Sequence, residues 1–194
     1  YSRIHSLAVI IPCLNEVDKL ESCIRSIPQT FHIPLEILVA DGGSTDGTQD
    51  LAASLGAVVK ESEKGRGIQI ATALKNTSAD AVLVLHADCR LSPGSLERVV
   101  KCMDSDPHLA GGAVGMRFDA ASAGSTIITF LNDLRVRLTA ISFGDQGQFF
   151  RTEALKRAGG FPELLLMEDV ELSLRLKTTG RMGFLGHGIV VSYR

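Results

Sequence analysis

The first half of the chain alternates short apolar runs with segments whose apolar residues recur at helical spacing. The first run ends at Pro12, and Asn15 stands where a cap for the following helix is expected. Gly56 is a typical end for the second helix, and Ser92-Pro93 a typical start for the fourth. The predicted strands lie at 7–11, 35–40, 57–59 and 81–85, and the predicted helices at 17–27, 49–55, 65–75 and 92–103. This alternation predicts an α/β fold with a parallel sheet and right-handed crossovers.

The second half is less regular but still mixes both types of element. Strands are predicted at 113–118, 148–151, 182–185 and 189–193, and helices at 126–138, 152–160 and 168–180. No linker or shift of composition divides the sequence, so we expect a single domain, 1–194. Within it we expect a nucleotide-binding half at about 1–105 and an acceptor-binding half at about 106–194.

Composition narrows the possible functions. The chain has 194 residues, of which 45% are hydrophobic and 22% charged, as is ordinary for a folded domain. A net charge of −2, no Trp and only two Tyr predict no nucleic-acid partner. The chain has neither an apolar run long enough for a bilayer nor a signal peptide, which predicts a cytoplasmic protein. It begins at Tyr1 without a Met, so we expect that an upstream segment is missing.

The cysteines give no sign of a metal site or of disulfides. They form no Cys-x-x-Cys pair and lie at 13, 23, 89 and 102. We therefore expect free thiols in a reducing compartment.

Three acidic clusters each follow an apolar, strand-like run. They lie at 41–46 (Asp-Gly-Gly-Ser-Thr-Asp), 86–88 (His-Ala-Asp) and 168–169 (Glu-Asp). Loops that follow parallel strands meet along the carboxyl edge of the sheet, where ligands bind. Three acidic loops at one edge favour a divalent metal, a phosphate-bearing ligand and a general base.

The first cluster and the later Arg66 are candidates for binding a nucleotide. Glycines at 42, 43 and 47 leave the backbone beside Asp41 open to a ligand, and its carboxylate could accept hydrogen bonds from a ribose or a base. Glycine and aspartate also form ordinary turns. Arg66, between two glycines, could bind a phosphate through two hydrogen bonds, or could simply be a solvated arginine at a helix start.

The second cluster is a candidate metal site. In an extended segment His86 and Asp88 would point the same way, toward one ligand. The Asp88 carboxylate could hold Mg²⁺ or Mn²⁺ against a diphosphate, and imidazole suits Mn²⁺ better than Mg²⁺. The alternative is that Asp88 caps a turn and that His86 is a hydrogen-bonded histidine at a strand end.

The third cluster is a candidate general base. Glu168 and Asp169 open a helix, where the helix dipole favours carboxylates in any case. That preference explains one acidic residue better than an adjacent pair after the four apolar residues at 164–167. Such a pair at the rim of a cleft can place a general base near a bound hydroxyl.

Taken in order, these residues resemble the inverting, family-two-like glycosyltransferases of the GT-A fold. The matching segments are 9–16 (Val-Ile-Ile-Pro-Cys-Leu-Asn-Glu), 39–47 (Val-Ala-Asp-Gly-Gly-Ser-Thr-Asp-Gly), 85–88 (Leu-His-Ala-Asp), 144–147 (Gly-Asp-Gln-Gly), 159–161 (Gly-Gly-Phe) and 167–169 (Met-Glu-Asp). They span nearly the whole chain in the family's order. The resemblance implies one GT-A-like domain with a Rossmann-like, mostly parallel central sheet flanked by helices. It also implies hexosyl transfer from a nucleotide sugar, a UDP- or GDP-sugar, with inversion.

The resemblance also implies roles for individual residues. The residues implied to surround the nucleoside are Pro12, Asn15, Glu16 and Asp41. Asp88 is implied to serve a divalent cation and the diphosphate, and Asp169 to be the acceptor's base. Beside these, Arg66 and His86 are our candidates for further donor contacts, and Glu168 for orienting the acceptor or its loop.

Two departures from the family pattern change the expected function. His86-Ala-Asp88 stands where the family usually has Asp-x-Asp, which resembles a small bacterial-type subgroup. The Gln-x-x-Arg-Trp signature of processive synthases is absent, which favours a single transfer.

The chain stops at Arg194, where relatives often continue. A missing tail is expected to cover the acceptor or to bind the inner face of the membrane peripherally.

Other function classes fit the sequence less well. A methyltransferase would place its Gly-rich loop after the first strand, and a sugar-nucleotide pyrophosphorylase would place a loop with Gly, Arg and Lys there. The first strand is instead followed by Pro-Cys-Leu-Asn-Glu at 12–16. A non-catalytic nucleotide-sugar-binding or regulatory module with a degenerate site is the remaining alternative. His86 favours it, and the acidic residues Asp88, Glu168 and Asp169 argue against it.

Overall fold

The structure, a computed structural model, describes residues 1–120 and 122–191. In this part of the chain the strands are β1 (Leu7–Cys13), β2 (Leu35–Asp41), β3 (Val58–Glu61), β4 (Ala81–Val84), β5 (Cys89–Leu91), β6 (Leu109–Ala113), β7 (Met116–Phe118), β8 (Gln148–Arg151), β9 (Arg181–Phe184) and β10 (Ile189–Val191). The helices are α1 (Val17–Arg25), α2 (Thr48–Ser54), α3 (Arg66–Leu74), α4 (Ser95–Ser105), α5 (Ala123–Thr139), α6 (Thr152–Arg157) and α7 (Glu168–Lys177). A short 3₁₀ turn spans Gly144–Gln146.

Seven strands form a central sheet in the order β3-β2-β1-β4-β8-β6-β9. β1 pairs in parallel with β2 and β4, β2 with β3, and β6 with β9. β8 alone runs opposite to its neighbours β4 and β6. The predicted α/β fold with a mostly parallel central sheet is therefore confirmed.

The central strand β1 explains how the core forms on both faces of this sheet. Leu7, Val9 and Ile11 belong to the apolar cluster on one face, and Ala8 and Ile10 to that on the other. Because both faces are covered, the strand needs a continuous apolar run rather than an alternating pattern. The strand also continues through Cys13, beyond the end predicted from its proline.

A second, three-stranded sheet was not predicted. β10 pairs antiparallel with β5 and parallel with β7. The single strand predicted at 113–118 was wrong, because β6 and β7 belong to different sheets. Gly115 between them has φ 86°, a left-handed conformation that interrupts an extended run. The last two residues of the strand predicted at 189–193 lie outside the described residues.

Two predicted helix starts were also wrong. Asn15 does not cap α1. It has φ 54°, and the first helical amide, that of Val17, donates instead to Asp46 Oδ2 at 3.1 Å. Helix α4 does not start at Ser92-Pro93, because Gly94 is its N-cap at φ 77°. The amide of Ser92 donates to the carbonyl of Gly188 at 2.8 Å, which holds Ser92 beside the second sheet.

Two further features bear on the expectations from composition. All four cysteines are free thiols. Within the described residues, no helix combines the length and apolarity needed to cross a membrane.

Candidate active site at the carboxyl edge of the sheet

Parallel and antiparallel strands together bring the predicted site residues to one edge of the central sheet. β1, β2 and β4 run in the same direction, so the segments after Cys13, Asp41 and Val84 leave from this edge. β8 runs in the opposite direction, so the turn just before Gln148 reaches the same edge. The edge therefore carries residues from the first and second halves of the chain.

Asp41 is fully buried at the end of β2 and has one unpartnered oxygen. Its Oδ2 accepts hydrogen bonds from the amides of Gly43 (2.9 Å) and Ser44 (2.8 Å) and from Gln49 Nε2 (2.7 Å). Burial alone would raise the pKa of Asp41, but the hydrogen bonds from Ser44, Gln49 and Gly43 outweigh it and lower that pKa. The carboxylate is therefore ionised at neutral pH. Its Oδ1 remains a buried acceptor without a donor, an arrangement that suits a ligand N–H or O–H.

The loop after β1 lies against the loop after β2. Asn15 Oδ1 accepts from the amide of Thr45 at 2.9 Å, and the amide of Glu16 donates to Thr48 Oγ1 at 3.0 Å. Pro12 is paired with Ala40 in the β1–β2 register, one residue before Asp41. The structure therefore brings together Pro12, Asn15, Glu16 and Asp41.

His86 and Asp88 follow β4 in a turn, so the extended geometry predicted for them was wrong. β4 ends at Val84, and the amide of Cys89 donates to the carbonyl of His86 at 3.0 Å. His86 Nε2 lies 3.5 Å from Arg66 Nη1. Burial, together with the Arg66 cation, lowers the pKa of His86 to about 4, so the imidazole is neutral at neutral pH. Asp88 is exposed, and its Oδ1 accepts a weak hydrogen bond from Cys89 Sγ at 3.6 Å.

An ion pair between an exposed arginine and a buried glutamate joins the start of α3 to the start of α7. Arg66 Nε lies 2.5 Å from Glu168 Oε1. The Glu168 side chain is 2% exposed and that of Arg66 is 41% exposed, so the guanidinium still reaches the surface of the site. Glu168 Oε2 is buried without a partner. The two adjacent acids therefore differ in environment, since Glu168 is enclosed and held by a cation.

Asp169 is held by the 3₁₀ turn. Its Oδ2 accepts from the amide of Gly144 at 2.8 Å and its Oδ1 from its neighbour Val170 at 2.7 Å. A carboxylate has about four acceptor positions, so these two bonds fix the group without saturating it. A Cβ on Gly144 would lie 2.5 Å from His86 Nε2, so the same turn also contacts His86. The structure thus brings together His86, Asp169 and this turn.

Sequence reasoning gave no role to Asp145, the middle residue of the turn. Burial raises the pKa of Asp145; the Arg135 cation opposes the rise, and the charges of Asp169 and Asp88 add to it. Its Oδ1 is buried without a partner. The sequence signal was available, since a Gly-Asp-Gln-Gly segment directly precedes a predicted strand.

The residues present fit a cation that is shared with a bound diphosphate. Among the described residues, no group of three His, Cys, Asp or Glu side chains could hold a metal alone. Mg²⁺ is commonly bound through one or two protein carboxylates together with the phosphates of a substrate. Asp88 is exposed, and its strongest hydrogen bond from any described residue is the weak one from the Cys89 thiol, so it fits this shared arrangement and not an all-protein cage.

Two cavities lie away from this edge of the sheet. A cavity of about 410 Å³ between β7 and α5 and one of about 380 Å³ between β9 and the end of α5 include none of the predicted site residues. The candidate site is therefore assigned from its charged side chains and not from a cavity. Carboxylates and an arginine at the carboxyl edge of an α/β sheet lie where ligands of this fold class bind.

Sequence comparison identifies relatives of the chain. Residues 8–157 match the model for Glycosyl transferase family 2. An uncharacterized glycosyltransferase of Mycobacterium bovis is 29% identical over 183 residues, which cover 88% of this chain and 82% of that protein. The glycosyltransferase AglE of Haloferax volcanii is 24% identical, over 97% of this chain and 67% of its own length.

Solved structures share the fold and are longer than this chain. A mannosyltransferase of Pyrobaculum calidifontis, in complex with GDP-Man and Mn²⁺, has a TM-score of 0.77 at 22% identity and covers 99% of this chain. S. aureus TarS 1-349, in complex with UDP-GlcNAc, has a TM-score of 0.75 at 21% identity and covers 97%. This chain spans 57% and 59% of those two structures, respectively. The GT-A-like fold is thereby confirmed. With the family match covering most of the sequence, the chain belongs to Glycosyl transferase family 2.

Proposed function

We propose that this chain transfers a single sugar from a nucleotide-sugar donor to an acceptor hydroxyl, with inversion at the anomeric carbon. The observation that carries the proposal is the hydrogen bond from Gly144 to Asp169, which fixes a carboxylate at the edge where Asp41 and Asp88 also lie. Neighbours of the same fold were solved with GDP-Man and with UDP-GlcNAc, which supports a GDP- or UDP-sugar as donor.

In this proposal the nucleoside binds beside the loops after β1 and β2. The unpartnered Oδ1 of the ionised Asp41 accepts a hydrogen bond from the base or the ribose. The residues that form the rest of this subsite are Pro12, Asn15 and Glu16. The first half of the chain, about 1–105, then supplies the donor site, and the second half, about 106–194, supplies the acceptor side.

The diphosphate lies next to Asp88, Arg66 and His86. A divalent cation, Mg²⁺ or Mn²⁺, shared with Asp88 would neutralise charge on the departing nucleoside diphosphate. Arg66 can meet phosphate oxygens with the donors that its contact with Glu168 leaves available. Because Glu168 is buried against Arg66, we assign it to holding that arginine, and Asp169 remains the base.

The chemistry is one displacement. The acceptor oxygen forms a bond to the anomeric carbon while the bond from that carbon to the diphosphate oxygen breaks. The nucleoside diphosphate leaves with the electron pair, and Asp169 takes the acceptor's proton. A single displacement from the opposite face inverts the configuration.

A screen of UDP-, GDP- and dTDP-sugars tests the proposal. Binding is measured by calorimetry with and without Mn²⁺, and slow donor hydrolysis is measured by release of the nucleoside diphosphate. We expect one donor to bind in a metal-dependent way and to be turned over, with loss of turnover in Asp169→Asn. Tight binding with no turnover, in the presence of a panel of simple acceptors, would favour the non-catalytic binding module instead.

A further inference from the structure

A polar cluster behind the 3₁₀ turn connects helix α5 to Asp169. Arg135, in the last third of α5, donates from Nη2 to Gln146 Oε1 at 2.9 Å. Its guanidinium lies 3.6 Å from the centre of the Phe143 ring. Gln146 is completely buried, and its Oε1 also accepts from the amide of Phe143 at 3.0 Å. Arg135 therefore contacts both ends, Phe143 and Gln146, of the segment that contains Gly144.

The same segment holds the carboxylate proposed as the base. Gly144 lies between Phe143 and Gln146, and its amide donates to Asp169 Oδ2 at 2.8 Å. On the other side of the turn, a Cβ built on Gly144 would lie 2.5 Å from His86 Nε2, so little space separates the turn from that ring. Arg135 thus holds the turn that binds Asp169 from the side away from His86.

The environment of Arg135 is unfavourable for a purely structural arginine. Its Nε is buried without a partner, as is Gln146 Nε2. Within the described part of the chain Arg135 forms no ion pair, yet the charges of Asp145 and Asp169 oppose the effect of burial and favour its cationic form. A buried donor left unpaired lowers stability, and an apolar residue of similar shape would avoid this loss. The stability of the fold therefore does not explain why position 135 carries an arginine.

We propose that Arg135 is a positioning residue for Asp169, acting through the segment from Phe143 to Gln146. It holds Gly144 in place to donate to the carboxylate. The proposal rests on the function proposed above for Asp169.

Three variants of α5 test the proposal against a structural role. Arg135→Met keeps an apolar stem on Phe143 but removes the charge and the hydrogen bond to Gln146. Arg135→Lys keeps the charge without the planar fork. Arg137→Met is the matched control, since Arg137 lies two residues away on α5, is exposed, and has its guanidinium 5.0 Å from the Phe184 ring centre.

We expect Arg135→Met to reduce kcat by about 10- to 100-fold, the effect of a slightly misplaced group, with donor affinity and melting temperature near wild type. Arg135→Lys should restore only part of kcat, because it keeps the charge but lacks the planar fork that meets both Gln146 and Phe143. Arg137→Met should match the wild type in every measurement.

A measurement that needs no turnover separates this proposal from the proposed function. Hydrogen exchange of the Gly144 amide, followed by NMR in the whole chain, should be faster in Arg135→Met than in the wild type, because that amide donates to Asp169 Oδ2. If it is faster and no donor is turned over, the positioning role stands and the transferase proposal fails. Unchanged exchange and unchanged kcat in Arg135→Met would overturn the positioning role. Equal losses of stability, donor binding and rate in Arg135→Met would also overturn it, since they indicate a structural role.

Discussion

At the scale of single residues, four carboxylates at the carboxyl edge differ in their exposure and in the groups that hydrogen-bond or pair with them. Asp41 is buried and hydrogen-bonded by a loop, and Glu168 is buried against Arg66. Asp169 is held by the amide of Gly144, while Asp88 is exposed. Of these four carboxylates, Asp88 is therefore the most accessible to a ligand. This makes Asp88 the natural carboxylate for an exchangeable cation.

Replacing Asp88 tests this role. Asp88→Ala should remain folded, because the side chain is exposed, but should lose metal-dependent donor binding and nearly all transfer. Calorimetry with the donor in Mn²⁺ and in excess EDTA checks it. Glu97→Ala, which removes an exposed carboxylate from α4, is the control and should behave as wild type. An active Asp88→Ala, together with wild-type activity in EDTA, would remove Asp88 from the cation site.

His86 offers a second residue-scale test. His86→Asp restores the Asp-x-Asp pattern that is commoner in the family and should stay active with an altered preference between Mg²⁺ and Mn²⁺. The neutral isostere His86→Asn should not show this change, because only a carboxylate adds a hard ligand. Measuring donor affinity and rate in each metal checks the prediction. Unchanged metal preference with a lowered melting temperature would mean that His86 only packs at the strand end.

At the scale of elements, the turn before β8 is closely packed within the site. Gly144 lies where a side chain would have to displace the His86 ring, and the same residue donates to Asp169. The surroundings of both His86 and Asp169 thus depend on the backbone at Gly144. A change there should affect chemistry more than donor binding, since Asp41 and its loop make no contact with this turn among the described hydrogen bonds.

Gly144→Ala tests this dependence. The added Cβ would lie 2.5 Å from His86 Nε2, so we expect a loss of stability of about 1–3 kcal/mol, typical of overpacking, and a larger relative loss of transfer rate. Chemical denaturation and the transfer rate are the measurements. Gly124→Ala is the matched control, since a Cβ there meets only Ser122 Oγ at 3.9 Å. Wild-type rate and stability in Gly144→Ala would show that the turn is not tightly constrained.

The elements also show what the sequence could predict. The strands β1, β2 and β4 and the helix at Glu168 were predicted because burial on two faces leaves continuous apolar runs and a helix start favours acids. The second sheet was missed because its three strands are short and depend on pairing between distant segments. Gly115 and Gly94 show the other limit, since a left-handed glycine is visible only in the folded backbone.

At the scale of the whole molecule, one antiparallel strand decides how the site is assembled. β8 turns the segment before it toward the carboxyl edge of β4, so that residues 144–146 meet the start of α7. The sequence predicted that acidic loops converge, because parallel strands share an edge. It could not predict which acid pairs with Arg66 and which with Gly144, since both contacts join segments far apart in the chain.

The measurement that tests the central claim most directly is Asp169→Asn, with donor affinity by calorimetry beside the transfer rate. Asn keeps the size of the side chain and removes its basicity, so donor affinity should stay near wild type while transfer falls by about 10²–10⁴-fold. Glu171→Gln, on the same helix and paired with Arg175 at the surface, should keep both values. Near-normal transfer by Asp169→Asn would contradict the account and place the base elsewhere, with Glu168 the next residue to replace.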